Sequence, residues 1–171
     1  MKQVIRHGVF ETNSSSTHTI CINKDFKWPL KENSIEFGTG EFGWEFENYY
    51  DIWSKAEYLH EAILSKANDK AEYENLKAEF TKLLNDIGIE KVNWAEIKWE
   101  DDDTYPDWNS HGYIDHGNNL WELIQLMLKD PNLFYGFLFN NESCICTGND
   151  NDEEDVNVPR GNYDYIYEKG N

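Results

Sequence analysis

Between Phe46 and Ile52 the spacing of apolar residues in this 171-residue chain changes from every second position to every third and fourth. Before the change, Ile35, Phe37, Phe42, Trp44 and Phe46 alternate on either side of Gly38-Thr39-Gly40, the pattern of a β-hairpin over 34–46. After it, Ile52, Trp53, Ala56, Leu59, Ile63, Leu64 and Ala67 form one helical stripe, with Trp53 in the expected core. Tyr73, Leu76, Phe80, Leu83, Leu84 and Ile87 form a second. Asn68-Asp69 fits a tight turn between the two stripes, and Gly88 is placed to cap the second. Each stripe needs an apolar surface to lie on, and the alternating segments supply it.

The remaining segments extend the pattern. Thr17–Ile22 alternates and is rich in β-branched residues, so it reads as a strand; Val4–Ile5 and Val9–Phe10 flank Gly8 as a short extended opening. Leu120, Trp121, Ile124, Met127 and Leu128 predict a third helix, with Asn118 or Asn119 as N-cap, Glu122 in the first turn and Asp130-Pro131 as its stop. Leu133–Phe139, Ser143–Thr147 and Tyr163–Tyr167 read as further strands. The expected fold class is α+β: an antiparallel sheet with a helical hairpin and a third short helix packed on one face, in a single domain over 1–171.

Charge narrows the function. Fifteen Lys and Arg face 33 Asp and Glu, a net −18, and the half from 100 to 171 holds 3 of the former against 16 of the latter. Such a surface repels phosphate backbones and anionic lipid, which disfavours direct binding of nucleic acid or membrane. A basic protein or ribonucleoprotein becomes the expected partner. Its docking face is expected to be built from Asp101, Asp102, Asp103, Asp107 and Trp108 together with Asp150, Asp152, Glu153, Glu154 and Asp155. Trp108 lies between Pro106-Asp107 and Asn109-Ser110 with no apolar neighbour, as a surface anchor would. The 149–155 run lacks the Gly and the helical flanks of a calcium loop. No apolar run reaches 18 residues, the first residues lack the apolar core of a secretion signal, and three Cys form an odd set, so reduced thiols in the cytoplasm are expected.

Chemistry concentrates in two places. Arg6, His7, Ser14, Ser15, Ser16 and His18 fall within thirteen residues, enough for an anion-holding turn or a serine activated by a histidine. His111-Gly112-Tyr113-Ile114-Asp115-His116 offers Asp115 and His116 as a general-base pair able to join that turn. His111 and His116 are five residues apart, which fails the helical spacing of a metal pair, and no metal or cofactor is expected. Cys144-Ile145-Cys146 places two thiols on one face of a strand, and Cys21 lies on another.

The stretch Phe10-Glu11-Thr12-Asn13-Ser14-Ser15-Ser16-Thr17-His18 resembles the opening of small phage and mobile-element proteins of Gram-positive bacteria that share an Asn-Ser-Ser-Ser signature. That resemblance implies a phage-encoded counter-defence protein acting in the bacterial cytoplasm. Joined to the charge, it gives an acidic anti-CRISPR-type inhibitor that occupies the basic nucleic-acid-binding surface of a host nuclease complex, with a CRISPR effector nuclease as partner. The residues leave two alternatives: a small phosphoesterase or nuclease-like enzyme using the Asn-Ser-Ser-Ser-Thr-His segment, and a structural or accessory phage protein.

Overall fold

The computed structural model describes residues 4–7 (by their backbone), 16–26, 33–43, 45–100, 102–115, 120–149 and 159–169. Its strands are β1 (Val4–His7), β2 (Ser16–Ile22), β3 (Ser34–Phe37), β4 (Glu41–Phe42), β5 (Asn48–Tyr49), β6 (Lys91–Trp94), β7 (Tyr113–Ile114), β8 (Cys144–Asn149) and β9 (Tyr165–Lys169). Its helices are α1 (Ile52–Lys66), α2 (Lys70–Asp86), α3 (Leu120–Lys129) and α4 (Pro131–Phe139). The class is α+β.

Five strands form one sheet in the order β1-β9-β2-β8-β5, antiparallel from β9 to β5 with β1 added in parallel at the edge. In β2 the side chains alternate between two burials. Ile20 and Ile22 join Ile145, Tyr165 and Tyr167 in the main core against the helices. Cys21 joins Cys144, Cys146, Tyr163 and Ile166 in a second, smaller cluster. The period of two therefore divides this sheet into two apolar faces.

Helix ends follow their capping residues. Asp51 accepts from the Ser54 N–H at 2.9 Å to start α1, and Asp69 accepts from the Glu72 N–H at 2.8 Å to start α2. Gly88, at φ +86°, ends α2 as its sequence position implies, and the Ile89 N–H returns to the Leu84 carbonyl at 3.1 Å. Leu59 and Phe80 are both buried, and Phe80 meets Phe134 edge to face with centroids 4.8 Å apart. Buried Lys55 gives its ammonium to the carbonyls of Asn140 (2.8 Å) and Ser143 (3.3 Å), and loss of hydration pushes it down to about 8.

Three expectations are corrected. Residues 133–139 are helix, not strand: Pro131 sits in the first turn, Asp130 accepts from the Asn132 N–H, and Leu133–Leu138 is buried on every side. A continuous apolar run carries no period to tell the two apart. Residues 34–46 are not a hairpin. β3 pairs in parallel with β6 and β4 in parallel with β7, so Gly38-Thr39-Gly40 crosses over α1 instead of turning back. Trp53 and Trp121 lie at the margins of their stripes, 50% and 38% exposed, not in the core.

Candidate functional site

The structure brings together three residues of the two sequence clusters. Ser16 and His18 point from β2 toward α1, and both are fully buried with Tyr58. The Ser16 hydroxyl donates to the Asp115 carbonyl at 2.8 Å, which spends its only proton. His18 Nε2, 3.1 Å from Ser16 Oγ, is then the donor, and Nδ1 accepts from the Tyr58 hydroxyl at 3.2 Å. Burial pushes the Tyr58 phenol up, which keeps it a neutral donor. An activated serine would donate to the imidazole; here the bonds run the other way, and this hydrogen-bond chain ties β2 to α1 and to Asp115, the residue after β7. Arg6 and His7 lie in β1, in register with Glu168 and Lys169. Ser14, Ser15 and His116 fall outside the described residues.

The acidic-aromatic loop is held firmly by its backbone. The Glu100 N–H reaches the Tyr105 carbonyl (2.9 Å), the Asp107 N–H the Lys98 carbonyl (2.7 Å) and the Ser110 N–H the Asp107 carbonyl (2.8 Å). Trp99 and Pro106 form a bridge, and the Lys70 N–H donates to the Asp103 carbonyl at 3.1 Å. Three carboxylates shape the loop. Asp102 accepts from the Thr104 N–H at 3.0 Å, and Asp103, at φ +55°, pairs with the Lys70 ammonium at 2.9 Å. Asp107 accepts from the Asn109 N–H (3.0 Å) and side-chain amide (3.2 Å), which hold it below the ordinary carboxylate range. On this frame Tyr105 is 65% and Trp108 81% exposed. Asp101 and the second cluster, Asp150, Asp152, Glu153, Glu154 and Asp155, lie outside the described residues.

Sequence reasoning missed Glu61. It sits inside the buried run Tyr58–Leu64 of α1 with a side chain 2% exposed. Its Oε1 accepts from the N–H groups of Gly40 (3.2 Å) and Gly112 (2.9 Å), and its Oε2 lies 3.4 Å from His111 Nδ1, whose proton goes to the Gly112 carbonyl at 2.5 Å. Burial raises the Glu61 carboxyl, and the N–H donors oppose that rise. Gly112 is required at this crossing: a Cβ there would stand 1.9 Å from the Gly40 carbonyl oxygen. A cleft of about 130 Å³ opens beside the carboxylate, with His111, Pro106 and Tyr113 in its lining. The available signal was a His-Glu pair inside an otherwise apolar helical stripe, since a carboxylate buried there must be given donors.

The three cysteines are free and buried, Cys21 opposite Cys144 in the β2–β8 register and Cys144 Sγ 3.7 Å from Cys146 Sγ. Thiol donors from Cys146 and Cys21 draw the Cys144 thiol down. Among the described residues no group of three His, Cys, Asp or Glu side chains could hold a metal ion. No described helix is long and apolar enough to cross a membrane. No family model, no curated protein and no solved structure matches the chain.

Proposed function

We propose that this protein is an acidic inhibitor that docks through its 102–113 loop on the basic, nucleic-acid-binding surface of a partner protein or ribonucleoprotein. One observation carries the reading: Trp108 stands 81% exposed on a loop whose backbone is already tied down. Exposing a large aromatic costs solvation, and it is rewarded where the ring enters a partner's pocket. A loop ordered beforehand loses less entropy on binding. Asp102, Asp103 and Asp107 share the loop with Trp108, Asp103 paired with Lys70, and the chain as a whole carries −18, so the face steers toward cations and away from phosphate. The opening Asn-Ser-Ser-Ser resemblance makes a host nuclease complex the partner class to try first.

The test is capture on the immobilised protein from phage-infected cells, with and without nuclease treatment, followed by association kinetics with the recovered protein. A basic protein should come through both arms. Its association should slow as salt rises, because the Debye length shrinks from about 10 Å at 0.1 M to about 3 Å at 1 M. Neutralising Asp102, Asp103 and Asp107 to Asn should lower the on-rate more than it raises the off-rate. Binding indifferent both to salt and to that triple variant would overturn the reading.

A further inference from the structure

The cleft beside the docking loop is lined by Glu61, Leu64, Ser65, Pro106, His111 and Tyr113. Glu61 brings a carboxylate to it that is 2% exposed. Among the described residues no lysine or arginine pairs with it, and its one titratable partner is His111. A carboxylate offers about four acceptor sites. The Gly40 and Gly112 N–H groups occupy both on Oε1, while Oε2 faces His111 Nδ1 at 3.4 Å, whose proton is already given to the Gly112 carbonyl. Among the described residues Oε2 therefore keeps its acceptor capacity, on a desolvated carboxylate that lacks a permanent countercharge.

The walls say which cation fits. Pro106 offers an apolar wall, and Tyr113, 49% exposed, adds an aromatic residue to the lining on which a planar cation can stack. A cavity of about 150 Å³ holds a benzene ring, so about 130 Å³ admits a guanidinium and its last methylenes. Guanidinium stacks on aromatics and forks onto carboxylates; ammonium is more strongly hydrated and does neither as well. Pro106, His111 and Tyr113 also belong to the chain segment that forms the docking loop, so the cleft opens beside Trp108's loop and not on a remote face. We propose that this cleft receives one arginine side chain of the basic partner, paired to Glu61 Oε2 and stacked on Tyr113. The assignment rests on the docking function given above.

The probe is N-acetyl-arginine amide, titrated into the whole protein and followed by two-dimensional NMR, with the neutral citrulline analogue as control. Saturable shifts at residues 61–65 and 111–114 are expected with the arginine compound and not with citrulline, and at least tenfold weaker binding in Glu61→Gln. Because Glu61 also anchors two loops, Ser65→Trp provides an independent variant: Ser65 is exposed on the last turn of α1, and an indole there closes the cleft without touching the anchor. It should abolish saturation while leaving the melting temperature within about 2 °C. Equal shifts from arginine and citrulline, or undiminished saturation in Ser65→Trp, overturn the pocket. If the probe saturates but no captured partner shows salt-dependent association, the pocket stands and the docking reading falls.

Discussion

At His18 both ring nitrogens are spent inside the protein, on Ser16 and Tyr58, whereas at His111 Nδ1 is engaged and the ring edges an open cleft. Both residues sit in polar clusters that stand out in the sequence, and from spacing alone they look equivalent. Their neighbours separate them. His18 is inside the core face of the five-stranded sheet, fully buried, and its hydrogen bonds run from Tyr58 through the imidazole to the Asp115 carbonyl. His111 lies on a loop, 3.4 Å from a carboxylate that has acceptor capacity to spare. The comparison teaches that a polar group with every donor and acceptor matched is holding the fold, and one left with capacity at a cleft is available for a ligand.

The sharpest way to break this contrast is to remove each ring. His18→Ala leaves the Tyr58 hydroxyl and Ser16 Oγ short of partners and opens a cavity, so it should cost roughly 3–5 kcal/mol. At this chain length that is a fall in Tm on the order of 10 °C. His111→Ala should cost about 1 kcal/mol or less. Thermal unfolding of the two variants side by side decides it. Equal losses would mean that His111 is as structural as His18.

A third histidine sharpens the contrast through pH. His60 donates from Nδ1 to the Gly38 carbonyl and accepts at Nε2 from the Tyr73 hydroxyl, both at 2.7 Å. Burial lowers it to about 4 from 6.5. Between those values the unfolded chain holds a proton that the folded one refuses, so stability is full above about pH 6.5 and falls as the pH drops toward 4. The loss attributable to this one group is roughly 3 kcal/mol. Glu61, whose carboxyl is raised by burial, works in the opposite direction, so the informative quantity is a difference. Chemical denaturation of the wild type and of His60→Asn, which keeps a donor toward Gly38, should show a shallower acid slope in the variant. Identical slopes would mean that His60 titrates normally and is not a matched, buried group.

How far the sequence reveals these distinctions depends on the range of the interactions. The stripes of α1 and α2, their Asp51 and Asp69 caps and the Gly88 stop are local, and residues three or four apart suffice to read them. The pairing of β3 with β6 is not local: it joins Ser34–Phe37 to Lys91–Trp94 across two helices, and the alternation of Ile35 and Phe37 fits a hairpin equally well. Residues 133–139 show the same limit from the other side, since an all-apolar run fits a buried strand or a buried helix and only the Asp130-Pro131 start favours the helix. Ser16, His18 and Asp115 stand out in the sequence as members of two separate clusters, but spacing shows neither that they meet through the Asp115 backbone carbonyl nor the direction of the hydrogen bonds, which Tyr58 fixes from forty residues away. Glu61 was hidden by its stripe, and its donors come from Gly40 and Gly112 on separate loops.

The smallest effect on stability is expected at the most exposed position. Among the described residues the Trp108 side chain makes no hydrogen bond or ring contact, and the bonds that hold its loop run through the backbone and through Asp107, Ser110, Asp103 and Lys70. Trp108→Ala should therefore change unfolding free energy by no more than about 0.5 kcal/mol. The same substitution should raise the off-rate of the captured basic partner at least tenfold, with the on-rate nearly unchanged, since a ring seated in a pocket acts through residence time and not through long-range steering. Surface plasmon resonance of wild type and variant at two salt concentrations separates the two. A loss of stability comparable to that of His18→Ala would make Trp108 part of the fold, and an unchanged off-rate would remove it from the docking face and leave the carboxylates of the loop to account for binding alone.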